Sequence, residues 1–264
     1  MGFIGGSFGY RLLRTLAPRR RDAAAAASRP IDGTDPHSTP LRVAFGPDIF
    51  TRTRGKHVLD FGCGSGQDAV ELAREGAARV TGLDIQERFL ALGRERAARA
   101  GVADRCHFTT RTDERADLIL SKDAFEHFDD PAAVLDTMSR LLKPDGQVLA
   151  AFGPTWWHPL GGHLFSVFPW SHLVFTEAAQ LRWRADFKSD GATRFREVTG
   201  GLNQLTIGRF ERLVARSPLA IEHLETVPIR GLKLLKSRAL REIGSALVRC
   251  RMRLRHPAAA LAAQ

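Results

Sequence analysis

The stretch Val58-Leu-Asp-Phe-Gly-Cys-Gly-Ser-Gly66 constrains this chain more than any other. An apolar strand, His57 to Phe61, runs into glycines at 62, 64 and 66, and helical periodicity follows from Gln67 to Arg74. Glycine lets the backbone take positive φ and leaves room for a ligand to approach the chain closely. In an open α/β sheet such a turn lies beyond the carboxyl end of a strand, where ligands bind.

The pattern then repeats. Arg79 to Asp84 reads as a second strand and Gln86 to Ala100 as a helix. Cys106 to Thr110 makes a weaker third strand and Ala116 to Ser121 a fourth. Strands alternating with helices imply βαβ units and a parallel sheet. Asp130 is placed as an N-cap with Pro131 at the first helical position, and Val134, Leu135, Met138, Leu141 and Leu142 share one face. Lys143 falls at the negative end of that helix and Pro144-Asp-Gly146 stops it, before a fifth strand over Gln147 to Phe152. Further on, a helix over Ile207 to Arg216 precedes a sixth strand, Leu219 to Val227. Finally Val248, Cys250, Met252 and Leu254 alternate with Arg249, Arg251, Arg253 and Arg255, the period of a strand with one buried and one solvated or anion-facing side.

Asp84 ends the second strand 18 residues after Gly66, where a carboxylate can accept hydrogen bonds from both hydroxyls of a ribose. A dinucleotide-binding turn shares this geometry, but its glycines are spaced G-x-G-x-x-G. Here the third glycine comes one residue early, and Asp60 stands two before the first. A carboxylate there repels a pyrophosphate and suits the ammonium of an amino-acid cofactor.

Four features together resemble the class I S-adenosylmethionine-dependent methyltransferases, and within them the small-molecule, quinone-biosynthesis-like branch. They are the D-x-G-x-G-x-G turn, Asp84, Asp123-Ala-Phe-Glu-His-Phe128 after strand four and Leu-Leu-Lys-Pro-Asp-Gly146 before strand five. The resemblance covers residues 41 to 152 well and the C-terminal strands moderately. It implies a doubly wound, mostly parallel seven-stranded Rossmann-like sheet with a C-terminal antiparallel strand and an inserted substrate cap. It also implies S-adenosylmethionine as cofactor. Asp60 and the turn Phe61, Gly62, Cys63, Gly64 and Gly66 would hold the methionine part, Asp84 the ribose, and Ile85 would pack on the adenine. Thr112 or Asp113, in a loop shorter than usual, would reach the adenine edge, and Ser121 or Lys122 would offer backbone groups.

The segment from 153 to about 200 breaks the pattern and reads as the cap. All four tryptophans, Trp156, Trp157, Trp170 and Trp183, fall there with His158, His163 and His172. Aromatic walls with a few polar groups suit a small-molecule pocket; the alternative is a small hydrophobic subdomain. Methyl transfer from a sulfonium needs no leaving-group acid, so alignment carries much of the catalysis. A hydroxyl acceptor gains from a base, and His163 and His172 are the candidates. The histidine spacing matches no zinc site, so no metal is expected.

Charge bounds the partners. The formal net charge of +10 is uneven: residues 56–152 carry −4 and the flanks +14. Residues 230–256 hold nine Lys or Arg against one Glu, a basic flank that could meet nucleic acid, anionic lipid or an acidic partner, or simply be a solvated face. Yet residues 121–125 lack the Asn/Asp-Pro-Pro-aromatic sequence of enzymes that methylate bases. A small-molecule acceptor is therefore preferred over an RNA or protein acceptor, and over an NAD(P)-dependent oxidoreductase. Residues 1–40 read as a poorly ordered basic arm, with peripheral membrane contact as one option, ahead of a methyltransferase domain over 41–264. The three cysteines form no disulfide framework and no run is long enough to span a bilayer, so a cytoplasmic protein is expected, its oligomeric state open.

Overall fold

The computed structural model describes residues 2–17, 39–198, 200–229, 237 and 240–255. Seven strands form one sheet: β1 (His57–Phe61), β2 (Arg79–Leu83), β3 (Cys106–Thr109), β4 (Ala116–Lys122), β5 (Leu142–Phe152), β6 (Leu219–Pro228) and β7 (Ser245–Leu254). Their order is β3-β2-β1-β4-β5-β7-β6. The first five pair in parallel, and β7 runs antiparallel to both β5 and β6. The doubly wound, mostly parallel architecture expected from the sequence is thus the observed one.

Alternate residues of the central strands feed two separate cores, as the two-residue period of a strand requires. Val58, Leu118, Leu120 and Leu149 face one side, where they meet Leu41, Ile49 and Phe50 together with Val70, Leu72, Leu90 and Ala97. The covering helices there are α2 (Pro40–Phe45), α3 (Ile49–Thr53), α4 (Gln67–Arg74) and α5 (Glu87–Arg99). Leu59, Ile119, Val148 and Ala150 face the other side, against Leu135, Met138, Phe210 and Val214. Those residues belong to α6 (Pro131–Leu141) and α9 (Ile207–Ala215). Asp130 caps α6 as expected, accepting the amides of Ala132 and Ala133. Lys143 instead opens β5 and pairs with Asp117 at 2.7 Å, because the chain becomes extended at Leu142.

A third core lies outside the sheet. Trp156, Phe165, Phe175, Leu181, Trp183 and Phe195 pack together with Leu13 and Ala17. The short α7 (Ser171–Val174) and α8 (Glu177–Ala185) build it, and α1 (Gly6–Leu16) closes it. This corrects the expectation of a poorly ordered arm over its first part. Leu13 is fully buried, Ile4 bridges to Phe175, and the Tyr10 hydroxyl donates to Asp186 at 3.0 Å. The rest of that arm, residues 18–38, lies outside the described residues. The sheet domain begins by residue 39, where Thr39 caps α2.

The arginines of β7 find their anions within the sheet. Arg249 pairs with Glu225 on β6, and Arg251 and Arg253 both pair with Glu222. Much of the basic face expected there is therefore neutralised by the neighbouring strand.

Candidate cofactor and acceptor site

β1 and β4 are neighbours whose helical connections leave in opposite directions, which makes their carboxyl ends the switch point of the sheet. Pairing between them stops at Asp60 and Leu120, so the edge of β4 beyond Leu120, at Ser121 and Lys122, has no partner strand on that side. The glycine turn fills this place. Gly62, Gly64 and Gly66 all have positive φ, at 83°, 50° and 70°. A Cβ on Gly66 would lie 2.5 Å from the Phe108 ring, which also presses against Gly82 and Gly93. The turn is thus held by one aromatic ring packed on three glycines. Only residues without side chains let the ring approach so closely.

Asp60 is buried, and its Oδ2 has no hydrogen-bond partner. Burial pushes its pKa up to about 8, with Asp68 and Asp84 adding to the shift and Lys122 opposing it. An orphaned buried carboxylate oxygen at the switch point is where a cationic group is welcome. Asp84 is already in use: its Oδ2 accepts the Gly64 amide at 3.0 Å and its Oδ1 the Gln86 amide at 2.9 Å. It therefore both ties the glycine turn to β2 and starts α5, while each oxygen keeps a second lone pair for a hydroxyl. Ile85 beside it is 90% exposed, an apolar platform in a strand-end position that burial in the free protein does not explain. Orphaned acid, glycine cradle, carboxylate and apolar platform fit an amino-acid-linked nucleoside such as S-adenosylmethionine.

Other expected contacts are less developed. Cys63 is buried and its thiol donates to the Gly64 carbonyl. Thr112 accepts the Glu114 amide within its own loop, and Asp113 is exposed. The Ser121 hydroxyl is buried without a partner. The Lys122 ammonium bridges Asp68 at 3.2 Å and Asp123 at 3.3 Å. The sequence reading missed Asp68, although an acid in the first turn of the helix leaving the glycine turn was a readable signal.

The segment after β4 carries the site toward the cap. A Cβ on Gly62 would lie 3.0 Å from the Ala124 side chain and 3.7 Å from Phe128. Glu126 is buried, and its Oε1 accepts the Gly153 amide while Oε2 has no partner. Burial pushes its pKa up to about 8. Next to it, His127 meets His163 ring to ring at 5.3 Å.

The two cap histidines separate sharply. The Nε2 of His172 lies 2.8 Å from the Trp156 carbonyl and must be protonated to donate there. Its Nδ1, 3.0 Å from the Ser166 hydroxyl, must then accept. Ser166 in turn accepts the Gly162 amide at 2.9 Å. Both imidazole nitrogens are committed, so His172 is a strut of the cap core and not a free base. His163 is half-buried, takes φ 51°, and its buried Nε2 has no partner. Burial, with His127 and His172 as further causes, pushes its pKa down to about 4 while the Pro154 carbonyl opposes. It is neutral near pH 7, and the same burial makes it a weaker base than a free imidazole.

The expected aromatic pocket is corrected in the same way. Trp156 and Trp183 are buried in the cap core, Trp157 is half-buried against it, and Trp170 is 41% exposed with its indole NH on the Trp157 carbonyl. The cap is a small hydrophobic subdomain. Its edge does carry an open cleft of about 430 Å³, but Asp129, Glu177, Arg194, Arg196, Asn203 and Arg209 line most of it. Among the described residues no group of three or more His, Cys, Asp or Glu is placed to hold a metal ion. Among them, too, no helix is long and apolar enough to cross a membrane.

Residues 59–150 match a family profile described as a methyltransferase domain. Over 116 residues the chain is 40% identical to a ubiquinone biosynthesis O-methyltransferase of Neisseria meningitidis serogroup C (strain 053442), covering 41% of this chain and 48% of that protein. A protein of the same description from Sodalis glossinidius (strain morsitans) is 39% identical over 119 residues, covering 42% and 47%. The chain spans about half the length of these curated relatives. Among solved structures, an S-adenosylmethionine-dependent methyltransferase from Mesorhizobium loti superposes with a TM-score of 0.50 at 20% identity, over 76% of this chain and 92% of that one. An O-methyltransferase of neocarzinostatin biosynthesis, solved with S-adenosylmethionine and 2-hydroxy-5-methyl naphthoic acid, gives 0.50 at 15% identity, over 81% and 54%. At such identities these two show a shared fold.

Proposed function

We propose that this protein, whose residues 59–150 match a methyltransferase-domain profile, is a class I S-adenosylmethionine-dependent methyltransferase that moves a methyl group from that cofactor to a hydroxyl oxygen of a small molecule held where the cap meets the sheet. The observation that carries the reading is the switch-point cluster: unpartnered Asp60 Oδ2, the glycine turn tied to Asp84, and exposed Ile85. Asp60 would take the cofactor's ammonium, Asp84 its ribose hydroxyls and Ile85 its adenine face. When bound, the cofactor supplies an electrophilic methyl on a sulfonium, whose departure as a thioether needs no proton.

The chain's own contribution is then orientation, exclusion of water and removal of one proton. His163 is the proposed base: its Nε2 is unpartnered, and His127 links it to the segment resting on Gly62. His172 takes no part in the chemistry. The oxygen acceptor is favoured by the relatives described as O-methyltransferases.

The test is production of adenosylhomocysteine from S-adenosylmethionine with a panel of hydroxylated aromatic acceptors, amines, RNA and protein. Turnover with hydroxylated acceptors, with the methyl on oxygen, supports the reading. Turnover confined to amines, RNA or protein overturns it, as does binding of NAD(P) in place of adenosylhomocysteine.

A further inference from the structure

The face of α1 turned away from the cap has an unusual composition for solvent. At 100° per residue, Arg14, Arg11, Thr15 and Phe8 follow one another around the side opposite Gly9, Leu13 and Ala17. Leu12 and Leu16 come next around the helix, beyond Phe8. Phe8 is 70% exposed, Phe3 just ahead of the helix 82% and Leu16 47%. Burying the phenyl groups inside the protein is not what holds α1, since Leu13, Tyr10 and Ile4 do that. Large exposed apolar side chains clustered on one element mark an interaction surface.

Charge identifies the partner. Residues 1–21 contain five arginines and no acid, and three of the five are the run Arg19 to Arg21 directly after the helix. Arg14 leans on Asp186 of the cap at 3.5 Å, whereas Arg11 is exposed. Phenylalanines standing out beside arginines, on a short helix whose other face is fixed to the protein, are the makings of an interfacial anchor. The rings enter the boundary between headgroups and acyl chains, and the arginines meet anionic headgroups. A protein partner of matching kind would need an acidic and apolar groove. A second copy of this face would bring the same arginines together.

We infer that α1 docks this protein on an anionic lipid bilayer through Phe3, Phe8 and Arg11, with the cap held against the membrane surface. Because α1 is part of the cap core, a lipid contact on its outer face is a contact of the cap itself.

The experiment is co-sedimentation of the full chain with vesicles of equal parts phosphatidylglycerol and phosphatidylcholine, and with pure phosphatidylcholine. Binding is expected to the anionic vesicles alone, and to fall as salt is raised from about 0.1 M to about 0.5 M. Arg11→Glu changes the charge by two and should lower the partition coefficient about 25-fold, at about five-fold per charge near the surface. The Phe3→Ser/Phe8→Ser double variant should lose at least about ten-fold of the binding. Both variants alter exposed side chains, so their thermal midpoints should match the parent and separate lost binding from lost folding. Equal binding to the neutral vesicles, no binding to either, or unchanged binding by the variants would overturn the inference. So would a dimer in solution that the phenylalanine variant dissociates, which would make this face a self-interface.

Discussion

Affinity for adenosylhomocysteine should rise steeply with pH between about 6 and 8, and Asp60→Asn should flatten the rise. The free protein holds Asp60 protonated, because burial beside Asp68 and Asp84 lifts its pKa to about 8. The ligand's ammonium prefers the ionised form, so binding must expel that proton. The sign follows directly: affinity rises with pH wherever the free state carries the extra proton. For a pKa of about 8 the ionised fraction grows about 50-fold from pH 6 to pH 8, or about 2.3 kcal/mol of binding free energy. Calorimetry in buffers of different ionisation enthalpy reads both quantities. Proton release should approach one per ligand at pH 6 and about one half at pH 8. Asp60→Asn cannot ionise, so its affinity should be nearly independent of pH in this window. A flat or falling profile in the parent would refute the assignment. A slope that survives in Asp60→Asn would place the titrating group elsewhere, with Glu126, lifted to about 8 by its burial, the first suspect. Without ligand the sign is opposite for stability: the protonated carboxyl is favoured by the fold, and its contribution is lost as pH rises through about 8.

Asp84→Ala should weaken binding of the same ligand by about 1.5–3 kcal/mol, the scale for lost hydrogen bonds to a charged group, with the protein still folded in a melting experiment. His163→Gln should lower turnover by ~10²–10⁴-fold with little change in ligand affinity. His172→Gln should act on stability, costing about 1–3 kcal/mol in denaturant unfolding as the Trp156 carbonyl and Ser166 hydroxyl lose their partner. Equal kinetic effects of the two histidine variants would break the distinction between base and strut. Gly93→Ala would set a methyl 2.8 Å from the Phe108 ring and should cost about 1–3 kcal/mol by overpacking, despite the better helix propensity of alanine. An unchanged melting midpoint would show that the ring yields.

The elements that could be read from the sequence are those whose signals are local. Gln67–Arg74 is bounded by Gly66 and its own periodicity, and the helix from Pro131 is announced by Asp130 at its cap. The switch-point acids were equally readable, because Asp60 and Asp84 stand at fixed places relative to strand ends. What escaped depends on partners far along the chain. Helix α1 is glycine-rich at its start, and its burial comes from Phe175 and Asp186, more than 150 residues away. The arginines of β7 looked like an offered basic face because Glu222 and Glu225 reach them only through the β6–β7 pairing. His172 and His163 look alike in sequence. Only the positions of Ser166 and the Trp156 carbonyl tell a core histidine from one with a free nitrogen.

The sheet order has a consequence for how the chain is made. β7, the last strand, lies between β5 and β6, so β6 touches no earlier strand in its sheet. A ribosome releases residues in order, at about 5–20 per second. Until Ser245–Leu254 has emerged, β5 is an open edge of an otherwise complete parallel layer, and β6 has no strand to join. Val248, Cys250 and Met252 then enter between the two, pairing with β5 on one side and with β6 on the other. A nascent chain stalled before residue 245 would display an unpaired β5 edge able to join another chain, which is the hazard of open strand edges. Once that last strand emerges, Glu222 and Glu225 of β6 stand ready to receive its arginines.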